Sequence, residues 1–275
     1  MAATPLFAQS NNVPMTEIAV LPDSLGGTSG LVYDRGALWT VNDHSALNIY
    51  KLDSANGSVV DYISVSHAVP VDLEEMQLDS NFIYLGDIGN NCGCRTDLHI
   101  LRVDRRSLFS SAPLIDTIGF FYPEQMLFSS DLFSTDFDCE AFVVFGDSIF
   151  LFTKQWSSLA TSCYVIPNIP GVHAAQLRYS LPVQGLVTGA SVSVSSGDLL
   201  LVGYSNLMRP FLLQLSDWRE SAKVSFVKRF LSEWMSQVEA VVESPSGDIY
   251  VTNEAFSVPL LLKIPPRLMR LFVCE

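Results

Sequence analysis

The chain has 275 residues, of which 48% are hydrophobic and 16% are charged. This balance excludes a disordered chain and allows a substantial core, in one large domain or two small ones. A formal net charge of −13 without a stripe of Lys and Arg argues against a nucleic-acid partner. No apolar run approaches the roughly 20 residues that span a bilayer. We therefore expect a soluble monomer without a transmembrane segment.

The N-terminal stretch MAATPLFAQSNN contains LFAQS, which is typical of the end of an export signal. The basic start and the full apolar stretch of such a signal are missing from it. We interpret residues 1–12 as a residual export signal or disordered segment, and residues 13–275 as a single domain. This interpretation places the protein in the periplasm or outside the cell.

Five later segments share one layout, in which two apolar runs are separated by a turn. The turns carry Arg-Gly, Gly-Asp or Ser-Gly-Asp, as β-hairpins favour, and no helical periodicity extends over a comparable length. The segments are TSGLVYDRGALWTVND, DLEEMQLDSNFIYLGDIGNN, DCEAFVVFGDSIFLFTKQ, TGASVSVSSGDLLLVGYS and VEAVVESPSGDIYVTNEA.

A third apolar segment follows every hairpin, and a fourth usually follows the third. The third segments are ALNIYKLD, HILRVD, CYVIPN, PFLLQLS and PLLLKIP. Four antiparallel strands, repeated about every 45 to 65 residues, are typical of a β-propeller. The fold class predicted is therefore all-β, a five-bladed β-propeller of four-stranded antiparallel blades.

The fifth repeat lacks a regular fourth strand. Residues 16–21 have the layout of a strand that lies ahead of an inner strand, so we expect the N-terminal strand to close the ring in the last blade. The alternative is that the C-terminal segment RLMRLFVC supplies this strand.

Aligning the hairpins brings many acidic residues to one end of the ring. The start of one antiparallel strand lies beside the end of the next, and the inner strands of a propeller line its channel. We expect the inner strands to begin near Gly30, Glu74, Glu140, Gly189 and Glu239. The catalytic candidates at this mouth are Glu74, Glu140, Glu239 and Lys154. The ligand-binding candidates are Asn42, Asp43, Asp72, Asp138, Tyr204, Asn253 and Glu254.

A single Glu at a strand start is usually solvated or accepts backbone N–H bonds. Three in register indicate a functional mouth, because buried carboxylates need cations or donors to offset their repulsion. Within Asp138-Cys139-Glu140 we expect Glu140 to face the channel, Asp138 to stand on its rim and Cys139 to point toward the neighbouring blade. Lys154 is expected to pair with Glu140 or another carboxylate.

The loop GDIGNNCGCRTD offers oxygen ligands near the same mouth. Asp87, Asn90 and Asn91, together with Glu74, form a candidate site for a hard cation such as Ca²⁺. The alternative is a turn that is satisfied by its own side chains.

The cysteines and histidines support no further site. Cys92 and Cys94 lack the second pair that a zinc site needs, and we interpret the cysteines as free thiols. A Ser-His-Asp triad is unsupported, since the histidines lie near loops or outer strands. His44, beside Asp43, is the one histidine placed to reach the mouth.

Segments that correspond to the forms SGLxY...LWTxND, E(D/E)...IYxGDxGNN, TDFDCEA...LYLFTKQW (here ending IFLFTKQW), TGA and QVEA...TNE lie at residues 29–43, 74–91, 135–156, 188–190 and 237–254. With these motifs the chain resembles a group of secreted β-propeller proteins from Bacteroidetes. The resemblance covers nearly the whole chain and implies the fold and export. It implies no particular reaction, since none is established for the group.

More distantly, the arrangement is similar to gluconolactonase-like, strictosidine-synthase-like and esterase-like phytase propellers. The first of these hold one divalent metal in the channel mouth with Glu, Asn and Asp, which implies a cofactor such as Ca²⁺ here. No lactonase motif matches residue by residue, and five blades differ from the usual six.

Two classes of function remain. In the first, the mouth binds a cation, a cationic group or a sugar, with Trp39, Trp156 and Tyr204 as stacking surfaces. In the second, a metal and a Glu base hydrolyse an ester or lactone, or two carboxylates flank a glycosidic bond. Propellers host all of these, so the fold does not choose among them. We take small-ligand or cation binding as the main hypothesis and a hydrolase as the alternative.

Overall fold

The structure, a computed structural model, describes residues 12–43, 47–65, 69–110, 112–129, 131–258 and 262–273. Residues 1–11 of the predicted export segment lie outside this range, as do His44 and Cys274. Helical structure in the described residues consists of one short 3-10 turn, Asp23–Leu25. Within the same ranges, no helix is long and apolar enough to cross a membrane.

Five antiparallel sheets, in chain order, form the blades of the propeller and confirm the predicted fold. Blade 1 contains Thr28–Asp34, Ala37–Asn42, Asn48–Leu52 and Val59–Ser64. Blade 2 contains Leu73–Leu78, Phe82–Asp87, His99–Asp104 and Ile115–Phe121. Blade 3 contains Asp138–Phe145, Ser148–Lys154, Thr161–Pro167 and Gln176–Leu181. Blade 4 contains Leu186–Val192, Leu199–Tyr204, Pro210–Ser216 and Ser225–Leu231. Blade 5 contains Val238–Glu243, Ile249–Asn253, Arg267–Leu271 and Met15–Val20.

The core lies between the faces of neighbouring blades. Tyr84 and Ile100 of blade 2 pack in one buried cluster with Cys139, Phe142 and Leu151 of blade 3. Inner and second strands are covered on both faces, which explains why the sequence shows apolar runs instead of strict alternation. Cys139 is 0% exposed in this cluster, as predicted for a residue that points toward the neighbouring blade.

The ring closes in blade 5, where the two ends of the chain meet. Met15–Val20 pairs antiparallel with Arg267–Leu271, so the N-terminal strand is the outermost strand, as predicted. The C-terminal strand, considered as the alternative, is the third strand of the same blade. This pairing joins the two ends of the chain within one blade and so closes the ring.

The prediction that PLLLKIP supplies the third strand of blade 5 is wrong. Leu262–Ile264 instead pairs with Phe256–Val258 in a separate two-stranded hairpin. Pro265 and Pro266 follow it, and because proline has no N–H to donate, the ladder of blade 5 begins after them.

Short parallel additions extend two outer strands. Asn12–Val13 runs beside Ser225–Leu231 of blade 4, and Gly171–Ala174 runs beside Ile115–Phe121 of blade 2. The second of these additions comes from the chain of blade 3, and the first immediately precedes the closing strand. Both therefore tie neighbouring blades together at the outside of the ring.

Every inner strand shifts register against its second strand at the same level. The residues left out of the ladder are Gly30, Glu74, Glu140, Thr188 and Glu239. A β-bulge of this kind bends the strand and re-aims a side chain. Blade 4 was aligned on Gly189, but its bulge is at Thr188, one residue earlier.

We expect Gly30→Ala to lower the free energy of unfolding by more than about 2 kcal/mol. Gly30 has a φ of +65°, and a Cβ there would overlap the backbone nitrogen of Met76 in blade 2. Gly36→Ala is the matched control, because its φ is +81° but nothing lies within 4 Å of the added carbon. Denaturant unfolding measures both variants, and equal losses would contradict close contact between the inner strands.

Candidate functional site

The inner strands begin at one mouth of the channel, beside a cavity of about 250 Å³. Six carboxyl groups and one ammonium group belong to the described residues that line it. The convergence of carboxyl groups predicted from the sequence is therefore present. The lining consists of Ser29, Asp43, Asp72, Glu74, Asn91, Phe133, Glu140, Lys154, Trp156, Tyr204, Gln237, Glu239 and Glu254.

Lys154 pairs with Glu140, as predicted. Its Nζ lies 3.0 Å from Oε2 of Glu140, and both side chains are almost fully buried. The same Nζ lies 4.8 Å from the ring centre of Trp156 and 5.7 Å from that of Tyr204. These distances are within the range of cation–π attraction. The cavity wall thus already holds one ammonium group between a carboxyl group and two aromatic rings.

The charge state of this pair depends on its surroundings. Burial raises the pKa of Glu140 well above its ordinary value; Lys154 opposes the rise, and Asp138 and Glu239 add to it. Burial lowers the pKa of Lys154, but the attraction of Glu140 and other acidic groups outweighs burial and raises that pKa well above its usual range. Lys154 therefore stays charged at neutral pH.

The other carboxyl groups of the cavity also have raised pKa values. Burial raises the pKa of Glu74 well above its ordinary value, with further contributions from nearby acids. Burial, with a smaller contribution from repulsion by Glu254, also raises the pKa of Glu239 well above its ordinary value. Burial and repulsion from Asp72 raise the pKa of Asp43 to about 7. The raised pKa values favour the protonated form of these carboxyl groups in the folded protein.

Asp138 supports the cavity wall from behind. It is 0% exposed, so the prediction that it stands on the rim is wrong. Its Oδ2 accepts a hydrogen bond of 2.8 Å from Nε1 of Trp156, and its Oδ1 accepts one from the backbone N–H of Asn90. Asp138 thus fixes the indole that Lys154 contacts.

The predicted metal ligands are not brought together. Of this set, only Glu74 and Asn91 line the cavity. Asp87 accepts two backbone N–H bonds of 2.9 Å and lies 2.9 Å from Nη1 of Arg95. Oδ1 of Asn90 accepts the backbone N–H of Arg95 at 2.8 Å. These contacts fit a turn satisfied by its own side chains.

A Ca²⁺ site does not fit this loop, because Arg95 already supplies the positive charge beside Asp87. Across the described ranges, no group of three or more His, Cys, Asp or Glu residues is arranged to hold a metal ion.

Three further candidates have structural contacts away from the lining. Oδ1 of Asn42 accepts the backbone N–H of Gly27 at 2.9 Å. Oδ1 of Asn253 accepts a bond of 3.0 Å from Nε of Arg267. Trp39 borders a separate apolar cavity between blades 1 and 2. The aromatic surfaces of the mouth are therefore Trp156 and Tyr204, which were predicted, and Phe133 in the loop before blade 3, which sequence reasoning missed.

Glu75 is another buried carboxyl group that sequence reasoning missed. It is fully buried, and its Oε2 accepts the backbone N–H of Ala190 in blade 4 at 2.9 Å, while Oε1 accepts that of Met76. Gln77 donates a bond of 2.9 Å to the carbonyl oxygen of Ala190. Blades 2 and 4 are not neighbours, so this bridge crosses the channel beneath the mouth. Its sequence signal is a second Glu directly after Glu74.

Cys92 and Cys94 form a disulfide, so the prediction of free thiols is wrong for this pair. Gly93 between them has a φ of +65°, which lets the chain turn tightly enough to bring the two sulfurs together. Cys139 and Cys163 are buried free thiols. The disulfide lies directly after Asn91, at the edge of the cavity.

Comparison with solved structures shows a propeller fold. A glutaminyl cyclase from Myxococcus xanthus matches with a TM-score of 0.54 at 12% identity, over 96% of this chain and 98% of its own. A Thermus thermophilus protein described as an oxidoreductase (glucose dehydrogenase) matches with a TM-score of 0.52 at 12% identity, over 95% and 100%. A protein described as a gluconolactonase matches with a TM-score of only 0.46 at 10% identity, over 94% and 91%.

No protein-family model and no curated protein sequence matches the chain. At the identities found, likeness to solved structures shows the fold alone. The class defined by the fold and the mouth is a five-bladed β-propeller with an acidic channel mouth. Membership of the Bacteroidetes group stays a prediction.

Glu239→Gln tests the charge state of the cavity. Burial in the folded protein raises the pKa of Glu239. The neutral form of this side chain therefore contributes stability below the ordinary carboxyl pKa. That contribution is lost as the pH rises through the pKa of Glu239 in the folded protein. We expect equal free energies of unfolding near pH 4. At pH 8 the variant should be the more stable by about 1 kcal/mol or more.

Denaturant unfolding across this pH range measures the difference. Glu124→Gln, at an exposed carboxyl group, is the matched control. A Glu239→Gln variant that is less stable than the parent protein at pH 8 would mean that this carboxylate is a structural hydrogen-bond acceptor.

Proposed function

We propose that the protein binds a small ligand carrying a positively charged amine at the acidic mouth. The observation that carries this proposal is the excess of acid: among the described residues, six carboxyl groups and one ammonium group line one cavity of about 250 Å³. A cationic ligand would let more of these groups ionise without mutual repulsion. Export of the protein and carbohydrate binding remain predictions from the sequence.

The surroundings of Lys154 support an amine as the cation. Its ammonium group lies against the carboxyl group of Glu140 and the faces of two aromatic rings. This is the combination of partners that recognises ammonium groups in general. Glu74 and Glu239 form no ion pair with a described residue, and they are the groups we assign to the ligand's amine.

Amine binding is tested by calorimetric titration with primary amines and with alcohols of the same shape. We expect the amines to bind at pH 7 and the alcohols not to. Glu239→Gln should weaken amine binding about tenfold, which corresponds to about 1.4 kcal/mol. Glu124→Gln should bind like the parent protein.

Competing ligands form the other arms of the titration: Ca²⁺, a sugar, a lactone, a phosphate ester and a peptide with an N-terminal glutaminyl residue. The last is included because one similar structure is a glutaminyl cyclase. Binding of Ca²⁺ or sugar with no binding of any amine would overturn the proposal.

A second candidate, hydrolysis of an ester, lactone or glycosidic bond, is favoured by one observation. Oε2 of Glu140 faces Lys154, while its buried Oε1 accepts no hydrogen bond from a described residue. Burial raises the pKa of Glu140 above its ordinary value, which is the direction that a general acid requires. Turnover of a chromogenic ester, lactone or glycoside that is lost in Glu140→Gln would establish this activity. Amine binding without turnover would exclude it for those substrates.

A further inference from the structure

The loop between blades 2 and 3 carries a group of exposed apolar side chains. We call five of them the apolar rim: Met126, Leu127, Phe128, Leu132 and Phe133. Met126 is 81% exposed and Leu127 is 85% exposed, and each of the others is more than half exposed. Single exposed apolar residues are common on proteins, but several on one loop are typical of a binding surface.

The rim is anchored beside the mouth. Before the rim, Nε2 of the buried Gln125 donates a bond of 2.8 Å to the carbonyl oxygen of Gly93. At its end, the backbone N–H of Phe133 donates a bond of 2.9 Å to the carbonyl oxygen of Asn91. Asn91 itself lines the acidic cavity. The segment that carries the rim is therefore tied at both ends to the loop that contributes Asn91 to the cavity.

Phe133 joins the rim to the cavity. Its ring is part of the cavity lining and lies 4.6 Å, centre to centre, from the ring of Trp156, which Lys154 contacts on the cavity side. Phe133 also has a φ of +58°, which is uncommon for a bulky residue that is not glycine. Strained backbone of this kind concentrates at ligand-binding sites. Phe133 thus belongs both to the apolar rim and to the lining of the acidic cavity.

We propose that the ligand is an amphiphilic amine, whose ammonium group enters the cavity while its hydrocarbon or aromatic part lies on the apolar rim. This inference rests on the proposed function, and it adds the class of ligand. A membrane surface is the weaker occupant, because the adjacent carboxyl groups and the net charge of −13 repel anionic headgroups.

The test is calorimetric titration with straight-chain primary amines from ethylamine to octylamine, below the concentrations at which they form micelles. We expect affinity to rise with chain length, by up to about fourfold for each fully buried methylene. The matching alcohols should show no such rise. In the double variant Met126→Ser, Leu127→Ser, the ratio of octylamine to ethylamine affinity should fall at least tenfold.

Val194→Ser is the matched control, because Val194 is 63% exposed and lies in the turn at the opposite end of an inner strand. It should keep the ratio of the parent protein. Circular dichroism and thermal unfolding establish that both variants fold.

Three results would overturn the inference. Amine affinity that is independent of chain length would remove the rim from the ligand site and leave the proposed function standing. No binding of any amine would overturn both. Binding to phosphatidylcholine vesicles that the double variant loses, with no dependence on chain length, would identify the rim as a membrane contact.

Discussion

Repulsion among carboxyl groups in the closed channel is the constraint on which the rest of this structure depends. The repeated bulge turns Glu74, Glu140 and Glu239 toward one cavity, where burial makes each charge expensive. Two features offset that cost: the ammonium group of Lys154 and the protons that raised pKa values retain. A cationic ligand would offset the cost of the buried charges further, and this is the physical basis of the proposed function.

The acidic residues divide into two groups by what satisfies them. The first group accepts hydrogen bonds from the protein. Asp138 holds the indole of Trp156, Asp87 holds the backbone of Asp72, and Glu75 joins blade 2 to Ala190 of blade 4. The second group, which includes Glu74 and Glu239, faces the cavity. The first group fixes the geometry in which the second group can act, so both are needed for a preformed site.

The sequence predicted the ring, its closure and the Glu140–Lys154 pair because these depend on periodic strands and on hairpin register. It did not predict features set by contacts between blades. The bridge from Glu75 requires the distance across the channel, and the contribution of Phe133 requires the path of a loop. The position of Thr188 depends on a one-residue bulge, which sequence alignment of the blades does not register. Asp138 looked like a rim residue because its partners are distant in sequence.

The most direct measurement is the number of protons released when an amine binds. Calorimetry of octylamine binding at pH 7, repeated in buffers with different ionisation enthalpies, gives this number. If the cavity stores protons on carboxyl groups that an ammonium group then displaces, binding should release about one proton per amine. Binding without proton release, or with proton uptake, would contradict the account of a protonated acidic mouth that is built to receive a cation.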